Sequence, residues 1–244
     1  YRHVPVFRVQ EKNSPAVTLP TWNGSYMSGR DIPLLWYSET EEALSITGEG
    51  NTEVTSLGPG YQVHNLNLAA GEYSIGSEDA SFNVIDWDEN TKNCGAAKEL
   101  VVPYGVYQIG AKQYQSNTTI KSVVFSPTVK VIIANAFSSS GLTSIEIPGS
   151  VVTIGGWAFE WCSHLESVIF KEGLKNIGEG AFYWTGLILV EIPASVETIA
   201  RGAFANCTSL KTATLNNGLV NISGNPFCGS PITTINIPGT KYVM

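Results

Sequence analysis

The chain of 244 residues is 43% hydrophobic and only 14% charged, with 14 Lys and Arg against 21 Asp and Glu for a formal net charge of -7. That is one large domain or two small ones with ample apolar material for a core, and no run approaches the roughly 18 to 20 apolar residues of a membrane helix, so no membrane span is expected. An acidic balance of this kind offers no electrostatic footprint for a phosphate backbone, which argues against a nucleic-acid partner.

The sequence opens at Tyr1 without a charged-then-apolar leader, as expected of a processed chain or an expressed piece of a longer one. Residues 1–96 hold 5 Lys/Arg against 13 Asp/Glu, net -8, whereas 97–244 hold 9 against 8, net +1, with no Asp at all. This shift places a domain boundary near 96. In the acidic part, Val4 to Val9, Leu34 to Tyr37, Ala43 to Thr47 and Val63 to Leu68 are apolar alternations set between Gly, Asn and Pro, which predicts a small β-rich N-terminal domain or cap, 1–96. Leu68 to Ile75, with Tyr73 inside it, reads either as the tyrosine-corner turn of a β-sandwich or as a degenerate copy of the repeat that follows, since Ile147 to Ile154 has the same offset.

From 97 to 244 the chain repeats. Phe137, Phe159, Phe182, Phe204 and Phe227 follow one another at steps of 22, 23, 22 and 23, and an isoleucine stands five before each, at Ile132, Ile154, Ile177, Ile199 and Ile222. Ile109 and Tyr114 extend the frame back by one copy. A second ladder of alternating residues, from Leu100/Val102 through Ile145/Ile147 to Ile235/Ile237, runs in the same register, and seven copies begin at Ala97, Ile120, Leu142, Leu165, Leu187, Leu210 and Ile232. Each copy reads as a short strand, a turn and a second short extended piece. Such a unit cannot bury its apolar face alone, so the copies stack into a mainly β solenoid with the phenylalanines inside. At about 4.8 Å per strand its six intervals span roughly 29 Å. The N-terminal part is expected to cap this stack.

The run LTSIEIPGSVVTIGGWAFEWCSHL, Leu142 to Leu165, and its copies resemble the leucine-rich repeats of BspA-like bacterial cell-surface proteins. The stretch LWYSETEEALSITGEG, Leu35 to Gly50, is similar to the entry segment that often precedes them. The resemblance implies a secreted or surface-anchored chain, an adhesin rather than an enzyme, whose repeats engage a protein or glycan at the cell surface. Two departures from the family pattern are Ser138-Ser139-Ser140 after Phe137, where cysteine is frequent, and Pro226, where alanine is usual.

No catalytic constellation stands out. The three histidines, His3, His64 and His164, form no known motif, and His164 falls in a turn found only in the 23-residue copies, so it reads as solvent-facing. Carboxylates pair at Glu41/Glu42 and in Asp86-Trp87-Asp88-Glu89-Asn90; the latter mimics half a calcium loop, but Thr91 replaces the required Gly and Ala97 the closing Glu. No cofactor and no metal are expected. Cys162 and Cys207 share one slot, three after the Phe and two copies apart, too far to bridge, and read as buried thiols packed as small hydrophobes. Cys94 sits three before Ala97 as Cys162 does before Leu165, and Cys228 is the cysteine expected to be exposed.

The aromatic excess is the functional lead. Trp161 and Trp184 stand two after the Phe on adjacent copies, with Tyr183 beside Trp184 and Trp157 two before Phe159, while the same slot elsewhere holds Ser116, Ser139, Asn206 or Gly229. The repeat does not require them. Trp157, Trp161, Tyr183 and Trp184 are therefore either a binding patch on one edge of the solenoid or rings that pack on one another or on the N-terminal part. The strand face, with Val101, Val124, Glu146, Ile169, Glu191, Thr214 and Asn236, is a second, weakly charged surface. The sequence stops at Met244 before the next Phe of the frame, which leaves self-association through the C-terminal end as a further expectation.

Overall fold

The structure, a computed structural model, describes residues 16–18, 25–27, 32–38, 43–48, 52–55, 60–75, 81–85 and 98–236. All regular structure among these is strand. Val4 to Val9, His3, Glu41/Glu42, the Asp86 to Asn90 run, Cys94 and Met244 lie outside the described residues. The chain divides into two compact units, Tyr1–Trp87 with Pro103–Gly105, and Asp88–Val102 with Val106–Met244.

The first unit contains β1 (Ala16–Thr18), β2 (Ser25–Met27), β3 (Ile32–Ser38), β4 (Ala43–Thr47), β5 (Thr52–Thr55), β6 (Gly60–Leu66), β7 (Gly71–Ile75) and β8 (Ser81–Ile85). The alternating runs read from the sequence at Leu34 to Tyr37, Ala43 to Thr47 and Val63 to Leu68 fall on β3, on β4, and on β6 with the two residues after it. One sheet has the order β1-β3-β6 and the other β2-β8-β7-β4-β5. All their pairings are antiparallel except that of β2 with β8. Tyr26, Ile32, Ile46, Leu66, Leu68 and Tyr73 are buried. The Tyr73 hydroxyl donates to the Ala69 carbonyl at 3.0 Å, which is the bond of a tyrosine corner. A solenoid copy would instead pair in parallel with its neighbours, whereas β7 pairs antiparallel with both β4 and β8.

The second unit is the solenoid. Its strands are β9 (Glu99–Val101), β10 (Gln108–Ile109), β11 (Ser122–Val124), β12 (Val131–Ile132), β13 (Ser144–Ile147), β14 (Thr153–Ile154), β15 (Ser167–Phe170), β16 (Asn176–Ile177), β17 (Leu189–Ile192), β18 (Thr198–Ile199), β19 (Thr212–Leu215), β20 (Asn221–Ile222) and β21 (Thr234–Asn236). The even-numbered strands, β10 to β20, form one continuous six-stranded parallel sheet built on the isoleucine ladder. The odd-numbered ones pair in parallel as β9-β11, β13-β15 and β17-β19-β21. Both interruptions fall at 22-residue steps, from Val123 to Ile145 and from Val168 to Val190.

Alternation explains each longer strand. In β13, Ile145 and Ile147 point inward while Ser144 and Glu146 face solvent, and Pro148 then turns the chain, its carbonyl accepting from the Val151 N–H at 3.0 Å. The interior is an aromatic column. Tyr114, Phe137, Phe159, Phe182, Phe204 and Phe227 stack in order, with ring centroids 5.0 to 5.6 Å apart and planes within 17° of parallel. Phe125, just after β11, and Phe170, at the end of β15, stand edge-on to Phe137 and Phe182. Offset stacks and edge contacts of this kind add about 0.5–1.5 kcal/mol per pair beyond the area buried.

Candidate functional site

The site is built from the arcs that carry each rung from its two-residue strand to the next longer one. In every arc but the last, three alternate N–H groups, those of the core aromatic and of the residues two before and two after it, donate to the next rung. Trp157 donates to the Glu179 carbonyl, Phe159 to that of Ala181 and Trp161 to that of Tyr183, each at 2.8 Å. A left-handed backbone flanks the aromatic in this ladder. Positive φ recurs two before it at Lys112, Asn135, Trp157, Gly180 and Gly202, and two after it at Ser116, Ser139, Trp161, Trp184, Asn206 and Gly229. In the last arc the first of these moves to Gly224, because Pro226 bars the preceding Asn225 from the α region.

Glycine and asparagine accept such positions cheaply, but for other residues each costs about 1–2 kcal/mol. Trp157, Trp161 and Trp184, at φ of 60°, 59° and 57°, are therefore a poor fit to their backbone.

The structure brings all four predicted residues into one cluster. Trp161 and Trp184 stack with centroids 4.6 Å apart and planes 26° from parallel. They also remain exposed, at 46% and 40%. Tyr183 stands edge-on to both Trp157 and Trp161, at 5.6 Å and 6.2 Å. The two sequence alternatives are thus not exclusive, since the rings pack on each other and still present surface. The flanking rungs carry Ser139 and Asn206 in the same column, so the indole pair stands above its neighbours as a ridge.

Three supporting residues were not singled out from the sequence. Gly180 lies under the Trp157 ring, whose carbons would be 2.1 to 2.7 Å from any Cβ added there. Asn206 donates from Nδ2 to the Tyr183 hydroxyl at 2.9 Å. Glu160 is half-buried on the arc between Trp157 and Trp161. Their signal was the column: Gly180 shares its column with Trp157, Asn206 with Trp184, and Glu160 with Tyr183.

Cys162 and Cys207 are buried free thiols and Cys228 is an exposed one. The buried pair is not merely hydrophobic filling. Cys162 Sγ donates to the Phe137 carbonyl and Cys207 Sγ to the Phe182 carbonyl, each at 3.1 Å. Ser140 Oγ lies 3.3 Å from Cys162 Sγ, Thr185 Oγ1 3.1 Å from Cys207 Sγ, and Ser230 Oγ accepts from the Cys207 N–H at 2.9 Å. Hydroxyls and thiols thus alternate down one column. Burial pushes both thiols above the ordinary cysteine range, against the lowering effect of these hydrogen bonds. His164 is exposed, and His64 lies on β6. On the strand face Glu146, Ile169, Glu191 and Asn236 are exposed, while Val101, Val124 and Thr214 are half-covered. Among the described residues no three His, Cys, Asp or Glu side chains are grouped to hold a metal ion, and no helix is long and apolar enough to cross a membrane.

The family model of the BspA type leucine rich repeat region matches six copies, over residues 88–188 and 175–243. The chain belongs to this family. Among solved structures, a leucine-rich repeat protein from Eubacterium ventriosum aligns at 20% identity and a TM-score of 0.48, over 67% of this chain and 50% of that one. The pneumococcal vaccine antigen PcpA aligns at 19% identity and a TM-score of 0.44, over 87% and 51%. A leucine rich cell surface protein from Faecalibacterium prausnitzii aligns at 16% identity and a TM-score of 0.32, over 69% and 68%. The match spans about half the length of the first two. No curated protein matches significantly.

In BspA-type terms each rung is one repeat, and the aromatics two after the Phe stand on two neighbouring rungs, at Trp161 and Trp184.

Proposed function

We propose that this BspA-type chain is a non-catalytic recognition and adhesion protein of the bacterial cell surface, which binds a host matrix protein or another surface protein along its repeat scaffold. The solenoid, with a domain boundary near residue 96, supplies a rigid support, and the aromatic edge of Trp157, Trp161, Tyr183 and Trp184 supplies the contact. One observation carries this reading: two tryptophans are kept exposed and stacked at left-handed positions where glycine or asparagine would serve the fold better. Strained backbone of this kind concentrates at functional sites, and tryptophan is among the residues enriched at interface positions that dominate affinity.

The test is binding of the chain, and of a Trp161→Gly/Trp184→Gly variant, to an array of extracellular-matrix proteins and glycans. Glycine suits the left-handed backbone, so the variant is expected to fold. Capture on protein spots that the variant loses supports the reading. Capture on glycan spots alone would replace it by sugar recognition, and binding equal in both chains would remove the aromatic edge from the site. Silence together with self-association in solution would replace adhesion by assembly of the chain with itself.

A further inference from the structure

The aromatic edge has a charge character that its rings alone do not convey. The three arcs 133–141, 155–166 and 178–188 contain Glu160, Glu166 and Glu179 and no Lys or Arg. Glu160 is half-buried on the same arc as Trp157 and Trp161, and it makes no ion pair among the described residues, where the ion pairs are Lys171 with Glu146 and Lys175 with Glu197. The basic groups beside these arcs lie at their margins: the Lys121 ammonium is against Gly141 at the end of the first arc, and Arg201, one rung beyond Glu179 in the same column, has its side chain toward Gly224. The rung on the other side carries Ser139, whose N–H donates to the Glu160 carbonyl at 2.6 Å. Its small side chain leaves the outer face of Trp161 uncovered, with a carboxylate on the same arc.

Resting on the recognition reading above, we propose that this edge takes the guanidinium of an arginine in a basic segment of a protein partner, laid on the outer face of Trp161 and paired with the Glu160 carboxylate. A cation over an indole face is attracted by the ring's negative quadrupole. Arginine meets both features at once, because its planar fork stacks on an aromatic and pairs with a carboxylate. A quaternary ammonium would need several ring faces converging around it, whereas Trp161 and Trp184 lie nearly parallel and in contact. The carboxylate without a protein cation is the charge complement that selects a basic partner.

The experiment uses the full chain and three capped peptides of one neutral sequence bearing arginine, lysine or citrulline, followed through the indole N–H signals by NMR up to millimolar peptide. The arginine peptide is expected to shift the Trp161 and Trp184 signals and to bind about tenfold more tightly than the citrulline peptide. Glu160→Gln should erase most of that difference while leaving the fold intact. High salt should weaken the arginine peptide selectively, since screening shortens from about 30 Å at 0.01 M to about 3 Å at 1 M. Equal binding of arginine and citrulline peptides, or an unchanged preference in Glu160→Gln, overturns the inference. So does lysine binding as tightly as arginine, or the absence of any indole shift. If the Trp161→Gly/Trp184→Gly variant alone loses array capture while charge has no effect, the recognition reading stands and only the arginine inference falls. If that variant binds the array as the unaltered chain does, both fall.

Discussion

At the scale of single residues, the informative positions are those where side chain and backbone disagree. Trp161 occupies a left-handed site that Ser139, Asn206 and Gly229 share by column, and its ring contributes a stacked contact to Trp184 and an edge contact to Tyr183. Replacing it by alanine removes the ring contacts and keeps the backbone strain. Replacing it by glycine removes both. Trp161→Gly is therefore expected to be about 1 kcal/mol more stable than Trp161→Ala, and close to the unaltered chain, because the lost stacking of about 0.5–1.5 kcal/mol is offset by strain relieved. Chemical denaturation of the three chains checks this; an alanine variant as stable as the glycine variant would show that φ carries no cost here. Gly180 is the converse case, where an added Cβ meets both a φ of +57° and the Trp157 ring.

At the scale of elements, the ladders were legible in the sequence because each is a repeated choice of one side chain. Ile132 to Ile222 and Phe137 to Phe227 recur at fixed steps, and β12 to β20 and the ring stack are those two series made solid. The arcs were less legible. Their common property is a backbone conformation, met by Lys112, Ser116, Asn135, Trp157 and Gly180 alike, and residues with nothing chemical in common leave no pattern to read. The thiol column was half legible: burial followed from its slot, but the donation of Cys162 and Cys207 to phenylalanine carbonyls of the preceding rung needs the stacked geometry. The ring column carries its own prediction. Phe182 has a ring on each side and Phe170 edge-on, so Phe182→Ala should cost about 3–5 kcal/mol. Among the described residues Phe227 stacks on Phe204 alone, and it is partly exposed, so Phe227→Ala should cost less than half as much. Equal losses in urea denaturation would mean that the column acts as one unit rather than as a sum of pairs.

At the scale of the solenoid, stability is close to a sum over rungs and the interfaces between them, which makes protection depend on place in the stack. The six-stranded sheet and the arc amides bond each rung to the next, as Phe159 N–H does to the Ala181 carbonyl and Phe204 N–H to that of Pro226. Opening a central rung breaks two interfaces; opening the last described one breaks fewer. Cover thins in the same direction, for Ile199 and Ala213 are buried whereas their successors Ile222 and Ile235 are exposed. In this chain, native-state hydrogen exchange should therefore find the amides of Phe159 and Phe182 among the slowest, and those of Asn206 and Val220 exchanging through openings of lower free energy. A chain that exchanged all of these at one rate would be opening its solenoid as a whole, and the rung-by-rung account would fail. The gradient bears on the proposed function too: the aromatic ridge at Trp161 and Trp184 stands on central rungs, where the scaffold is expected to open least, so that the partner proposed above would find the rings already in place.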